Sequence, residues 1–170
     1  DAIGLGFEGG LQRSNPNPEG RTAPGLQEAQ AGLGGSHAGE GEPAEDGWGA
    51  ETYGSCRAPD LPGGGGGASL SGDPGGAGGG VIKLHVGGRL IIDGAIDASG
   101  ISGEGGAAGA GGSVQLEATS IGGTGWVRAM GGDPGALVGR GGSAGGGRIA
   151  VLGPLEEVAP VIAVKVVVDK

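Results

Sequence analysis

The chain is poor in the side chains that fill an ordinary core. Phe7, Trp48, Tyr53 and Trp126 are its four aromatic residues, and one methionine and one cysteine complete the scarce large or reactive groups among 170 residues. That is too little bulk to pack a globular interior at normal density. A lone Cys56 excludes an internal disulfide framework. Cations are also few, 10 Lys and Arg against 19 Asp and Glu for a net charge of -9, a balance that argues against nucleic acid and against anionic membrane surfaces. No apolar run is long enough to cross a bilayer and no basic-then-apolar leader opens the chain. It begins at Asp1 without a methionine and reads as a mature or excised segment of something longer.

Catalytic signatures are missing as well. There is no Ser, His and Asp ordering, no HExxH and no CxxC, and GxGxxG-like strings carry no weight in a chain with 48 glycines. Asp97 and Glu117 are outward acids, but they align with Arg128 and His85, which reads as surface pairing rather than a poised dyad. His37, in GGSHAGEG, has no second His or Cys at ligand spacing and reads as a solvated or loop-bonded imidazole. The two GDPG turns, Asp73-Pro74 and Asp133-Pro134, have too few carboxylates nearby for calcium. The expectation is a non-enzyme without cofactor or metal.

What is abundant is glycine, and it is ordered in sequence. Gly79-Gly80, Ile82, Leu84, Leu90, Ile96, Ala98 and Gly100 align with Gly111-Gly112, Val114, Leu116, Ile121, Val127, Ala129 and Gly131. A truncated third copy opens at Gly146-Gly147 with Arg148, Ile149, Ala150, Val151 and Leu152. The interval of roughly 32 to 35 residues lies in the range of repeat architectures. Within each copy the apolar residues alternate, with Ile82, Leu84 and Val86 inward and Lys83 and His85 outward, the pattern of a strand with one wet side. Each copy predicts about three short strands, too short to stand alone, which pair in parallel and in register with their equivalents. Asp97 and Arg128 are then outer-surface neighbours.

The rest divides around this repeat. Residues 1–7 alternate Ile3, Leu5 and Phe7 with small residues and read as the end strand of an earlier repeat. Residues 8–80 hold ten of the acids, two Asn-Pro pairs and the run Gly63 to Gly67, and read as an acidic, glycine- and proline-rich excursion whose pieces lie extended or polyproline-like against the repeats. Collagen is excluded, because no G-X-Y register persists. Residues 81–152 are the repeats, and 153–170 depart from them.

The order GGSH (Gly34 to His37), YGS (Tyr53 to Ser55), a glycine run, GGAGGGVIKLHVGGRLIIDGAIDASG, GGSVQLEATSIGGTGWVRAMGG and GGGRIAVL resembles the glycine-rich parallel β-helix repeats of large secreted or cell-surface proteins of bacteria, protists and algae. The likeness runs from about Ile3 to Leu152. It implies an all-β fold, a parallel β-solenoid with long glycine-rich excursions, and an extracellular role in adhesion, matrix or appendage building.

Two functional readings remain. In the first the chain is a structural subunit or segment of a filament, appendage or adhesin stalk whose partners are copies of itself or adjoining domains. Its assembly strand is PVIAVKVVVDK: Ile162, Val164, Val166 and Val168 form one apolar face and Val161 and Val167 help make the opposite face apolar too, so both sides need cover. In the second it is a carbohydrate-binding module with Trp48, Tyr53 and Trp126 as candidate glycan contacts. An ice-binding face is disfavoured because the outward ladder is irregular and charged.

Overall fold

The computed structural model describes residues 1–11, 19–42, 50–69, 71–134 and 141–164. It is all-β, and no helix occurs among the described residues. Six strands follow one another: β1 (Val81–Ile91), β2 (Ala95–Asp97), β3 (Ser113–Gly122), β4 (Trp126–Ala129), β5 (Arg148–Leu152) and β6 (Val161–Val164). They form two three-stranded parallel sheets, in the order β1-β3-β5 and β2-β4-β6. Each copy of the repeat therefore gives one strand to each sheet, two strands rather than three, joined at a corner where Asp93 Oδ1 accepts from the Thr124 amide at 3.0 Å.

The residues that the repeat aligns are the residues that pair. Ile82, Leu84 and Leu90 stand beside Val114, Leu116 and Ile121, and Ile96 beside Val127. These inward columns from both sheets meet in one apolar core. Its middle rung is sealed, with Val114, Leu116, Ile121 and Val127 fully buried, while Ile82, Leu84, Val86, Leu90 and Ile96 before it and Ile149 and Val151 after it are only partly buried.

The expected β-solenoid is corrected here. Only three rungs of two short strands stack, and no solenoid winds through the described chain. The physical reason lies in the glycine-rich segments, which are not excursions leaving a stack but a second hydrogen-bonded body beside the sheets. Gly63 and Gly66 donate to the carbonyls of Gly79 and Gly76, Gly64 and Gly67 to those of Ser36 and Leu33, and Gly65 to that of Arg21. The carbonyls of Gly63 and Gly66 accept from Phe7 and Gly10, and those of Gly64 and Gly67 from Ala110 and Ala107. A strand turns its groups alternately to two sides. This run repeats its partners every third residue and bonds five other segments, the signature of three residues per turn in a polyproline-II-like conformation.

The same spacing recurs where Gly76 and Gly79 donate to Ala107 and Ala110, Ala108 and Gly111 to Gly142 and Gly145, and Gly142 and Gly145 to Gly32 and Gly35. Glycine is required by close approach. A Cβ on Gly66 would overlap the carbonyls of Ala107 and Ala108, and one on Gly79 the carbonyl of Ala98.

Residues 1–7 do not form the expected strand. Gly4 takes a φ of 62°, which breaks an extended run, and Leu5 is exposed. Ala2 and Gly4 instead donate to Asp97 O at 2.6 Å and Ser99 O at 3.0 Å, and the Ala2 methyl enters the core. The third copy also extends past Leu152. β6 occupies the place of β2 and β4, with Trp126 beside Val161 and Val127 beside Ile162.

Candidate functional site

Four constellations of polar side chains and one apolar end are the candidates. On the outer face of the first sheet, β1 and β3 bring His85 Nδ1 and Glu117 Oε2 to 3.1 Å, both side chains largely in solvent. They line an open groove of about 490 Å³ with Val86, Gly87, Ala118, Thr119, Leu152 and Gly153. The pair is cross-strand and exposed, and among the described residues no group of three His, Cys, Asp or Glu converges to hold a metal.

On the second sheet Asp97 lies beside Arg128 in register, with Arg128 Nη2 donating to Asp97 Oδ2 at 2.7 Å. The expected outer-surface pair is corrected in one respect, since the Asp97 side chain is buried. Burial works against its charge, but donors from Ser99 and Arg128 outweigh it and hold the carboxyl below its usual range. The Arg128 guanidinium also lies 3.8 Å over the Trp126 ring, a cation–π contact between two outward residues of one strand. At the third rung Arg89 and Ser120 both donate to Glu156, and these bonds hold its carboxyl at about 2.

The fourth constellation joins bundle to sheet. His37 is fully buried, not solvated as one reading allowed. Its Nδ1–H donates to Gly111 O at 2.8 Å and its ring lies 4.9 Å from that of Tyr53. Nε2 has no hydrogen-bond partner. Tyr53 donates its hydroxyl to Pro62 O at 2.7 Å and accepts at its own carbonyl from Arg148, the first residue of β5. Burial pushes the phenol up and, with the nearby Arg148 charge assisting, the imidazole down to about 4. These groups pin the glycine segments to β5 and leave no face of the Tyr53 ring for a sugar.

Of the remaining candidate residues, Trp48 and Val166, Val167 and Val168 lie outside the described residues, and Val164 pairs through its backbone with Ala129. Trp126 is half-buried under Arg128. Cys56 is free and exposed. Val161 and Ile162 are exposed at 68% and 40%, and with Leu152, Leu155 and Val158 they make an apolar end on the third rung. Leu155 and Val158 were not among the sequence candidates. Their signal was the thirteen residues from Ser113 to Trp126, repeated from Arg148 to Val161, which makes 153–160 the corner of a third copy.

No protein-family model, curated protein or solved structure matches the chain.

Proposed function

We propose that the chain is a structural, self-associating module of an extracellular or cell-surface assembly, joined to its neighbours through the uncovered end of its two sheets. The observation that carries this reading is the burial gradient: a sealed middle rung between two rungs that are half open. β5 and β6 are edge strands, and among the described residues neither has a backbone bond on its outer side. An edge of unpaired amides and carbonyls bordered by exposed aliphatic groups is a template for another strand. Each aliphatic side chain covered there is worth roughly 1.5 to 3 kcal/mol before ordering costs. The location outside the cell rests on the resemblance to surface-protein repeats.

A glycan-binding role has less behind it, because Tyr53 is buried and the Trp126 ring is covered by Arg128. Sedimentation velocity over a concentration series tests the proposal. Species larger than one chain that vanish in Val161→Lys are expected, whereas a folded monomer at every concentration would refute it.

A further inference from the structure

We infer that residues 51–62 are a strap latched to the starts of β3 and β5 through Tyr53, and that protonation of His37 releases it while the sheets stay folded. This is independent of self-association. It starts from how little holds the segment.

The strap runs from Ala50 to Gly63 without a strand, and its residues are exposed except for buried Tyr53 and Pro59 and half-buried Leu61 and Pro62. Each amide from Gly63 to Gly67 donates to another segment, whereas the strap's one backbone–backbone bond to the rest of the described chain runs from the Tyr53 amide to His37 O at 2.9 Å. Side chains supply the other ties. Arg148, at the start of β5, donates from Nε and Nη2 to Tyr53 O at 3.0 and 2.7 Å, Ser113, at the start of β3, donates to Leu61 O at 2.6 Å, and Thr22 bonds the phenol. A segment with few backbone bonds and little burial opens at a lower cost than the sheets do.

The ties of Tyr53 converge on one imidazole. His37 takes the Tyr53 amide at its carbonyl, its ring lies 4.9 Å from the phenol ring, and Gly54 turns past it with a φ of 86°. A Cβ on Gly54 would lie 3.3 Å from both His37 Nε2 and Arg148 Nε. The unpartnered nitrogen therefore faces the strap and Arg148. The groups around the ring are Arg148 from β5, the Tyr53 phenol from the strap and the backbone of Gly111 and Gly112 from the bundle, and the charge that acts on it is that of Arg148. A proton on Nε2 aims an N–H at this contact with no acceptor and sets a second positive charge near Arg148. Gly111 and Gly112 are fixed by their own bonds to Gly145 and Ala98. The strap is the side that yields, and lifting it returns Nε2 to water.

Hydrogen exchange resolved by NMR and corrected for intrinsic rates tests this in the intact chain, comparing the Tyr53 amide with that of Leu116 in the middle strand β3. Tyr53 should be at least about tenfold less protected than Leu116 at every pH. Its protection should fall about thirtyfold from about pH 7.5 to about pH 5, as release returns the ring from about 4 to its ordinary 6.5, and by less than about threefold in His37→Asn. Equal protection of the two amides would mean that the strap leaves only with global unfolding, which overturns the latch. A fall that persists in His37→Asn would overturn His37 as the trigger. In the parent protein the nuclear Overhauser contact between the His37 and Tyr53 rings should vanish as the imidazole titrates, with the circular dichroism spectrum unchanged. A contact that survives a protonated His37 would sink the trigger whether or not the variant folds.

Discussion

His37 is placed where an imidazolium is disfavoured, and that makes stability depend on pH in a defined window. The neutral ring satisfies one nitrogen by donating to Gly111 O and leaves the other without a partner. A second proton would create a buried N–H with no acceptor, beside the Arg148 charge. Burial, assisted by that charge, lowers the pKa from 6.5 to about 4. Between those values the unfolded chain holds a proton that the folded one refuses, so stability falls as pH drops through the window and is undiminished above it. At about 1.36 kcal/mol for each pH unit, the whole window is worth about 3 kcal/mol, of which about 2 is lost by pH 5.

Urea denaturation followed by circular dichroism at about pH 7.5 and about pH 5 measures this. The comparison protein is His37→Asn, whose side-chain amide nitrogen stands where Nδ1 stands and can still donate to Gly111 O but does not titrate. The parent should lose about 2 kcal/mol more than the variant over that interval. Asp97 and Glu156 do not enter it, because both are held below their usual range and lose their contribution only in stronger acid. Parallel losses in the two proteins would refute the buried-imidazole account.

Four further outcomes follow from the geometry. Leu116→Ala, in the sealed rung, should cost about 3 kcal/mol in thermal or urea unfolding, and Leu84→Ala, in the half-open rung, about half as much; equal costs would deny the gradient. Gly66→Ala forces a methyl into the carbonyls of Ala107 and Ala108 and should cost at least about 3 kcal/mol or abolish folding, while Gly88→Ala, with nothing within 4 Å of the added carbon, should change stability by less than about 1 kcal/mol. Asp97→Asn leaves Arg128 without its carboxylate and should cost about 1 to 3 kcal/mol at neutral pH. In carboxyl titrations by NMR, Glu156 should titrate near 2 in the parent and move up toward its ordinary 4.5 in Arg89→Ala.

The sheets were legible because side chains announce them. Ile82, Leu84 and Val86 alternate with Lys83 and His85, and a one-residue slip would turn every aliphatic group outward, so the register of Ile82 on Val114 and Ile96 on Val127 follows from the pattern alone. Asp97 beside Arg128 follows from the same register. Its burial does not follow from the register. β6 was legible as an apolar strand but not as a member of the repeat, since Leu155 to Pro160 replaces the glycines that mark the other corners.

The polyproline-like course of the glycine-rich pieces was legible, but the bundle they build with one another was not, for a different reason. Its period of three is carried by backbone amides and carbonyls, and glycine has no side chain through which a period could be displayed. The sequence records the bundle only at the positions where glycine gives way to alanine. Ala108, Ala110 and Ala144 are fully buried and touch one another in a small cluster of their own, whereas a Cβ on Gly109 between the first two would strike the carbonyl of Ala77. A methyl is therefore kept where neighbouring segments leave a gap and removed where backbone meets backbone. Gly76 donating to Ala107 and Gly79 to Ala110 show the rule working across a pair of segments. The glycine count reflects how many segments each run must touch, and a run that bonds five neighbours cannot also serve as a turn between strands. Among the described residues the sheets hold three rungs, and the outer edge of the third has no backbone bond.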